Sequence, residues 1–324
     1  LDSTNSGAYA LMASNIYGVV TSAPAILTIL TPPFVTTSQE GFEQGWAGWT
    51  TDNPAVWELG VPTSGPGKAH AGANCAATVL GGNYWDETSG RLVSPAFVVP
   101  SADQAPRLRF WHWYEFNEDY GPDFGEVQIR AGTNGWRALA HYENSSSGVW
   151  SRPGFDLSSY AGQTVQLGFY FESHAAYGVG RVARGWYVDE VELRSGPEIL
   201  PNPESFELGW GDWFSDSYFW QVRKPGNGPI TAHTGMNAAC GNTGGNYSAS
   251  SSGRLISPIL NVPQVAPGSF VLLNSWQWYQ YGTGDAGLVQ VSRWNGLAWD
   301  DWVTVQTNAP SGSSGGWRQA PPID

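Results

Sequence analysis

The residues of this sequence that could carry acid–base chemistry are two pairs of neighbouring carboxylates, Asp86-Glu87 and Glu118-Asp119. A glycosidase holds two carboxyl groups about 5–10 Å apart across a cleft. Both pairs stand in polar, turn-like stretches, which favours solvated loops. The sequence also contains no HExxH, GxSxG, phosphate-binding loop or dinucleotide glycine motif. We therefore predict no catalytic site in this chain.

Single histidines, arginines and cysteines also lack a catalytic or metal-binding spacing. His70 and His233 share sequence neighbours, but no His or Cys cluster surrounds either, so we expect His70 to be a turn residue bonded to backbone groups. Arg91 is expected to pair with a carboxylate across a sheet. Cys75 and Cys240 are too few for a disulfide framework. We expect each to be a buried free thiol.

An aromatic run covers Phe110–Phe116. Because successive side chains of a strand point to opposite faces, one face would carry Phe110, His112, Tyr114 and Phe116, and the other Trp111 and Trp113. An exposed row could stack on sugar rings, but packing in the core of a sandwich is the interpretation we favour. Gln277 replaces His112 in the repeat described below, which argues against a shared imidazole function.

The composition limits both the fold class and the partners. The 324 residues include 41 glycines, with 14% aromatic and 13% charged residues, which indicates strands joined by turns. The net charge of −13 and the lack of a basic run argue against nucleic acid as a partner. The longest apolar stretch, Ala23–Leu30, is too short to cross a bilayer, and the start lacks a signal-peptide pattern. We expect an excerpt of a larger protein.

The first thirty residues predict a β-hairpin, because two alternating apolar runs flank the turn Asn15–Gly18. Their order resembles the last two strands of an immunoglobulin-like domain, with Tyr9 at the position of the tyrosine corner. Asn5 and Leu11 stand where that domain usually has an aspartate and a disulfide cysteine. Thr31-Pro32-Pro33 then breaks the strand pattern and predicts a linker.

The rest of the chain repeats itself. His70–Pro95 aligns without gaps with His233–Pro258 at an offset of 163, and 14 of the 26 positions are identical. The run Trp111–Tyr114 recurs as Trp276–Tyr279. The second copy ends at the counterpart of Asp156, so it lacks the equivalent of the 37 residues 157–193. We expect it to be less stable as written, with apolar surface and open sheet edges.

The strand predictions give an all-β fold. We expect strands at Leu108–Phe116, Gly125–Arg130, Thr164–Phe171 and Trp186–Leu193, between Gly, Pro and Asn turns. An even number of antiparallel strands in about 160 residues suits a jelly-roll sandwich, whose first and last strands can lie side by side. The prediction is therefore two tandem jelly rolls, the second truncated, after a fragment of an immunoglobulin-like sandwich.

An ordered set of motifs resembles the MAM-like jelly-roll module, which accompanies bacterial immune inhibitor A-type metallopeptidases and recurs in secreted adhesin-like proteins. The motifs are Phe42-Glu43, His70-x-Gly72-x-Asn74-Cys75, Gly81-Gly82-Asn83-Tyr84, Leu92-Val93-Ser94-Pro95, Phe110–Tyr114, Asp123-x-Gly125-x-Val127 and Gly185–Val191. The resemblance covers Ser38–Leu193 completely and Ser205–Asp324 in part. It implies an accessory module that stabilises, attaches, or binds protein or glycan, and that frequently holds a structural calcium.

The calcium implied by this resemblance would need six to eight oxygen ligands. Glu43 lies in the opening strand and Asp189 in the closing strand, which are neighbours in a jelly roll. We expect these two carboxylates to share a calcium ion, with Asp123 joining them. In the alternative interpretation Glu43 caps a turn and Asp189 pairs with Arg184 or Arg194.

By repeat symmetry, Glu207 and Asp285 are the calcium candidates of the second copy, whose closing aspartate lies outside the sequence. The predicted divisions are immunoglobulin-like strands at 1–31, a linker at 32–37, module 1 at 38–195, a linker at 196–204 and module 2 at 205–324.

The predicted function is non-catalytic binding or adhesion, outside the cell or on its surface, by monomeric modules that recognise a glycan or an extracellular protein. In the alternative, the modules are the ancillary part of a secreted hydrolase, a peptidase by resemblance, whose catalytic domain lies outside this sequence. In a third interpretation they are spacers.

Overall fold

The computed structural model describes residues 7–15, 18–27, 38–117, 123–146, 148–174, 182–196, 198, 200, 202–241, 245–260, 262–266, 268–295, 299–308 and 312–323. Within these ranges the chain forms 26 strands, β1 to β26, and two short 3-10 turns, Ala102–Gln104 and Ser158–Tyr160. The predicted all-β fold is confirmed. No helix in these ranges has the length and apolar character needed to cross a membrane. The predicted linker at 32–37 and the pair Glu118-Asp119 lie outside the described residues.

The N-terminal residues form the predicted hairpin. Its strands are β1 (Gly7–Tyr9), β2 (Met12–Asn15), β3 (Gly18–Thr21) and β4 (Ala25–Leu27), with β1 paired to β4 and β2 to β3. At the predicted turn, the Gly18 amide donates to Asn15 Oδ1 at 3.2 Å. The described side chains of this hairpin are exposed, and its membership of an immunoglobulin-like domain stays a prediction.

Module 1 is a sandwich of two antiparallel six-stranded sheets. Its strands are β5 (Ser38–Glu40), β6 (Thr50–Thr51), β7 (Glu58–Gly60), β8 (Cys75–Ala77), β9 (Ser89–Val93), β10 (Phe97–Val98), β11 (Arg107–Glu115), β12 (Phe124–Ala131), β13 (Arg137–Tyr142), β14 (Gly154–Asp156), β15 (Thr164–Glu172) and β16 (Gly185–Arg194). The front sheet has the order β13-β12-β15-β9-β6, with β10 beside β15. The back sheet has the order β14-β11-β16-β8-β7, with β5 beside β16. The opening and closing strands therefore pair, as predicted.

The core of module 1 lies between the two sheets. It combines Leu92, Val127, Ile129, Leu167 and Phe169 of the front sheet with Leu108, Phe110, Trp186 and Val188 of the back sheet. Along β11 the predicted alternation is present: Phe110, His112, Tyr114 and Phe116 are buried, and Trp113 packs on the other side with Cys75 and Tyr187. The core interpretation of the aromatic run is confirmed. Gly125 admits Trp186 to this core, because a Cβ there would lie 2.7 Å from the indole ring.

Module 2 consists of two-stranded sheets in its described part. The strands are β17 (Phe214–Ser215), β18 (Trp220–Arg223), β19 (Ala238–Gly241), β20 (Leu255–Ile256), β21 (Trp276–Gln277), β22 (Gln280–Tyr281), β23 (Gly287–Val291), β24 (Val303–Asn308), β25 (Gly312–Ser313) and β26 (Arg318–Gln319). The pairs are β17-β20, β18-β19, β21-β26, β22-β25 and β23-β24. Large apolar side chains such as Leu208, Phe270 and Trp276 are exposed. The predicted apolar surface is present.

Candidate functional site

The outer face of the front sheet carries six planar side chains, which we call the planar row. They are, in order, His141, Phe124, Tyr170, Arg91, Trp136 and Arg130. The His141 and Phe124 rings stack with centroids 4.8 Å apart, and the Phe124 and Tyr170 centroids are 6.1 Å apart. The Arg91 guanidinium carbon lies 4.7 Å from both the Tyr170 and the Trp136 centroid, and that of Arg130 lies 4.6 Å from the Trp136 centroid.

Strand register assembles the planar row from separate parts of the chain. Tyr170 of β15 lies opposite Arg91 of β9 on one side and opposite Glu126 of β12 on the other. Glu126 in turn lies opposite His141 of β13. Alternation along β15 directs Leu167, Phe169 and Phe171 into the core and therefore Tyr170 outward.

Gly168 allows the centre of the planar row to lie directly on the sheet. A Cβ at this position would lie 2.6 Å from Arg91 Cδ and 2.9 Å from the Trp136 ring. Contacts that short do not occur in folded proteins, so a larger residue would displace the arginine and the tryptophan. The glycine is thus required by the close approach of two side chains.

Hydrogen bonds fix the two arginines of the planar row. Arg91 Nη1 donates to Asp52 Oδ2 at 2.6 Å, and Arg91 Nε donates to Gln128 Oε1 at 2.8 Å. The prediction that Arg91 pairs with a carboxylate across the sheet is confirmed. Arg130 donates through Nε and Nη2 to Gln166 Oε1 at 3.1 and 2.7 Å. These bonds hold each guanidinium plane against its aromatic partners.

At the other end of the planar row, His141 is held between two carboxylates. Its Nδ1 lies 3.1 Å from Glu126 Oε1 and its Nε2 lies 3.1 Å from Glu143 Oε1. Desolvation lowers the pKa of His141, but the hydrogen bonds to Glu143 and Glu126 outweigh it, so the pKa is raised. Tyr170 donates to Glu172 Oε2 at 2.7 Å, and burial together with this bond raises its pKa. The planar row therefore offers aromatic faces and hydrogen-bonding groups.

Module 2 repeats part of this arrangement. Arg254 donates through Nη1 to Asp216 Oδ2 at 2.9 Å and through Nε to Gln290 Oε1 at 2.9 Å. Its guanidinium carbon lies 5.5 Å from the Trp302 centroid. The Arg–Asp–Gln set of module 1 thus recurs with nearly the same distances.

The predicted calcium carboxylates Glu43 and Asp189 both bind the loop at residues 70–74. Glu43 Oε1 accepts from the amides of Ala73 at 2.9 Å and Asn74 at 2.7 Å. Asp189 Oδ2 accepts from the Ala71 amide at 3.0 Å. Asp189 is fully buried, and this desolvation raises its pKa to about 6. Two carboxylates 146 positions apart in the sequence are thus brought to one loop.

Of the contacts considered in the alternative interpretation, the turn contact of Glu43 is present and the arginine pair of Asp189 is not. Glu43 does cap the turn at residues 70–74. The two arginines considered for Asp189 pair elsewhere: Arg184 Nε lies 3.6 Å from Glu115 Oε2, and Arg194 Nη1 lies 2.7 Å from Asp212 Oδ1. The donors to Asp189 are backbone amides instead.

The structure does not place Asp123 with Glu43 and Asp189, so the prediction that it joins them is wrong. Asp123 is buried, accepts a short hydrogen bond from the Tyr84 hydroxyl, and accepts from the His174 amide at 2.7 Å. Burial raises its pKa despite these bonds. A buried carboxylate takes the nearest donors, and Tyr84 supplies one.

The two calcium candidates of module 2, Glu207 and Asp285, also bind different parts of their module. Glu207 Oε1 accepts from the amides of Met236 at 2.9 Å and Asn237 at 2.7 Å, as Glu43 does in module 1. Asp285 accepts from the Tyr247 hydroxyl at 2.6 Å, as Asp123 does from Tyr84. Asp285 therefore belongs to a tyrosine–aspartate pair and not with Glu207.

His70 differs from the prediction of a backbone-bonded turn residue. Its ring stacks on Trp111 with centroids 3.7 Å apart, and its Nδ1 forms a short hydrogen bond with the Glu190 carboxylate. His233 stacks on Trp276 in the same way at 3.8 Å. Both cysteines are free, as predicted, and Cys75 is buried, but Cys240 is half-buried and so differs from the prediction of a buried thiol.

Comparison with known proteins shows similarity to parts of two proteases. No family model matches the chain. It is 30% identical over 189 residues to Bacillopeptidase F of Bacillus subtilis, a match that covers 57% of this chain and 12% of that protein. It is 30% identical over 121 residues to the pre-pro-metalloprotease PrtV of Vibrio cholerae, covering 34% of this chain and 12% of that protein. The chain thus spans about an eighth of the length of these curated relatives.

Two of the solved structures similar to the chain each cover about half of it. TmCBM61, solved with β-1,4-galactotriose, is 16% identical with a TM-score of 0.35 and covers 48% of this chain and 93% of its own. The K1 cleaved adhesin domain of Lys-gingipain from Porphyromonas gingivalis W83 is 22% identical with a TM-score of 0.35 and covers 49% of this chain and 97% of its own.

Proposed function

We propose that module 1 is a non-catalytic, glycan-binding module of a protein outside the cell or on its surface, and that its ligand lies along the planar row. A sugar ring presents C–H groups that pack on aromatic faces, and hydroxyl groups that pair with amide, guanidinium and carboxylate groups. The planar row offers both kinds of partner on one solvent-facing sheet surface. This juxtaposition is the observation that carries the proposal.

The charges of the planar row favour a neutral, hydroxyl-rich ligand over a charged peptide. Arg91 already pairs with Asp52, and His141 already pairs with Glu126 and Glu143. A charged ligand would have to break these pairs and leave partly buried charges without partners. A glycan can bind the same groups through their remaining hydrogen-bonding positions.

We expect the whole chain to bind a subset of spots on a glycan array, and Trp136→Ala to weaken binding to those spots about tenfold. The indole holds the guanidinium groups of Arg91 and Arg130 in the planar row. A tenfold loss corresponds to about 1.4 kcal/mol, within the range of a cation–π contact. The measurement is titration calorimetry with the best glycan from the array.

Trp85→Ala is the matched control, because Trp85 lies in the same module, is 76% exposed and stands outside the strands that carry the planar row. It is expected to bind like the unaltered chain. A blank array, or equal affinities for the chains altered at Trp136 and Trp85, contradicts the proposal.

A second candidate function is that of an ancillary segment of a secreted peptidase. Both curated relatives named above are proteases of which this chain spans 12%, and the chain itself lacks a peptidase motif. The full-length gene tests this candidate, since a zinc or serine protease motif outside these residues supports it. The two proposed functions are compatible, because an ancillary segment of a peptidase can also bind a glycan.

We also propose that Glu43 and Asp189 hold a structural calcium ion at the loop of residues 70–74. The donor set fits in part: both are hard carboxylates, and a cation would offset the cost of burying Asp189 among backbone groups. In the part of the chain that is described, no three His, Cys, Asp or Glu side chains are grouped to hold a metal. The remaining ligands would therefore be backbone carbonyls and water.

Removal of calcium by a chelator should lower the thermal midpoint of the chain by several degrees. Binding of an ion at about 100 times its dissociation constant stabilises the folded state by about 2.7 kcal/mol. Differential scanning calorimetry with and without chelator measures the shift, and Glu43→Gln should abolish it. An unchanged midpoint in the unaltered chain rejects the calcium proposal.

A further inference from the structure

The outer face of the back sheet carries a cluster of four arginines, Arg107, Arg109, Arg152 and Arg194, which we call the arginine joint. Within β11 and β16, Arg107 lies directly opposite Arg194, and Arg109 lies opposite Glu192. Like charges directly opposite each other on neighbouring strands destabilise a sheet. Within module 1 the nearby carboxylate is Glu192, which lies 3.3 Å from Arg194 Nε, so the two facing guanidinium groups are only partly neutralised by this module.

Module 2 supplies the carboxylate that resolves this repulsion. Asp212 is buried, and its Oδ1 accepts from Arg107 Nη2 at 3.0 Å and from Arg194 Nη1 at 2.7 Å. Glu198 of the predicted linker adds a second carboxylate, 3.4 Å from Arg109 Nη2 and 3.5 Å from Arg107 Nε. Both acidic groups thus lie between arginines of module 1.

The other two arginines bind the turn that contains Asp212. Arg152 Nη1 donates to the carbonyls of Gly211 at 3.0 Å and Trp213 at 3.2 Å, and the Arg152 carbonyl accepts from the Ser215 amide at 3.2 Å. Phe214 covers Arg109, with its ring centroid 4.2 Å from the guanidinium carbon. The backbone and side chains of this turn are therefore fixed on module 1.

Aromatic and amide contacts extend the same interface. The Trp210 ring meets the Trp111 ring edge to face, with centroids 6.1 Å apart. Gln221 Nε2 donates to the Trp150 carbonyl at 3.1 Å. The His70 ring stacks on Trp111, so Trp111 connects the interface with module 2 to the loop at residues 70–74.

The repeat shows that the arginine joint is not a requirement of the module fold. In the aligned turns Trp46–Trp49 and Trp210–Trp213, the position of Asp212 is occupied by Gly48 in module 1. In the aligned strands, Leu272 and Asn274 of module 2 stand at the positions of Arg107 and Arg109. At these three positions the charged residue is present only in the copy in which its side chain contacts the other module.

We propose that Asp212 locks the two modules into one rigid unit, with module 2 covering the back sheet of module 1 while the planar row on the front sheet stays open to solvent. The lock depends on burial, because a buried charge without a partner is costly. When Asp212 loses its charge, the two arginines that face each other lose their common partner. This inference stands independently of what the planar row binds.

The test is Asp212→Asn in the full chain, which keeps the shape of the side chain and removes its charge. The readouts are small-angle X-ray scattering and limited proteolysis with the cleavage sites mapped by mass spectrometry. We expect a larger maximum dimension than in the unaltered chain and cleavage within residues 196–204 that is at least tenfold faster. The matched control is Asp216→Asn, because Asp216 pairs with Arg254 inside module 2 and its loss should change neither readout.

An Asp212→Asn chain with the scattering curve and cleavage rate of the unaltered chain overturns the proposal. If this variant fails to fold, Phe214→Ala decides the question, since it keeps every charge and removes only the cover of Arg109. Faster cleavage within residues 196–204 in the Phe214→Ala chain supports the lock, and an unchanged rate overturns it.

Discussion

Replacement of Trp186 by alanine should lower the free energy of unfolding of module 1 by about 3–5 kcal/mol, the range for large aromatic residues removed from cores. Trp186 is fully buried between the sheets. Its ring centroid lies 5.6 Å from that of Phe169 and 6.0 Å from that of Trp57. The Trp186 indole of the back sheet packs against the front sheet, so its removal leaves a cavity between the sheets that neither sheet can fill by a small shift.

Urea unfolding followed by circular dichroism measures this loss. Trp85→Ala changes the same residue type at an exposed position and should cost less than about 0.5 kcal/mol. A loss below about 1 kcal/mol for Trp186→Ala would show that the two sheets do not share the core described above.

The second large effect is a loss of stability in mild acid caused by His112. Burial lowers the pKa of His112 from 6.5 to about 3, and its Nδ1 accepts a hydrogen bond from Trp186 Nε1 at 3.3 Å, which requires a neutral ring. The unfolded chain takes up a proton near pH 6.5 that the folded chain takes up only near pH 3. Stability that is fully present above pH 6.5 is therefore lost by about 1.4 kcal/mol for each pH unit below it.

His112→Gln should remove this contribution and flatten the stability of module 1 between pH 6.5 and 4.5. Glutamine stands at this position in module 2, as Gln277, and its carbonyl can still accept from Trp186. Denaturant midpoints measured across this pH range test the prediction. Equal slopes for the unaltered chain and the His112→Gln chain contradict the prediction.

The sandwich of module 1 was predictable because its signals are local. Alternation over Phe110–Phe116 assigns each side chain of β11 to a face without knowledge of any partner strand. The pairing of β5 with β16 follows from the topology of a jelly roll. Strand ends differ from the predictions by at most one residue. Arg107 and Arg194 each extend a strand, β11 and β16, by one residue, and both donate to Asp212 of module 2.

The planar row could not be predicted in the same way, because it depends on register between four strands. Tyr170 meets Arg91 across 79 positions of sequence, and nothing local fixes that pairing. One signal was available: the alternation Gln166-x-Gly168-x-Tyr170 reserves one face of β15 for polar and aromatic groups around a glycine. That pattern identifies an outer face with room for large neighbours.

Asp123 was misassigned for a related physical reason. Its partner Tyr84 lies in a loop, and the prediction considered only the two terminal strands of the sandwich. The repeat contains the missing information, since Tyr84 and Asp123 recur together as Tyr247 and Asp285. Two residues that recur as a pair in both copies are candidates for mutual contact before either is assigned to a metal.

The recurrence of the Arg–Asp–Gln set in the two modules has a consequence for avidity. With module 2 fixed against module 1, Arg91 and Arg254 are held at a constant separation instead of exploring a range of separations on a loose tether. A polymer that places repeating units at that separation gains a high effective concentration for its second contact, whereas a polymer with a different repeat gains none. A rigid arginine joint would thus favour polymers whose repeat spacing matches the separation between Arg91 and Arg254.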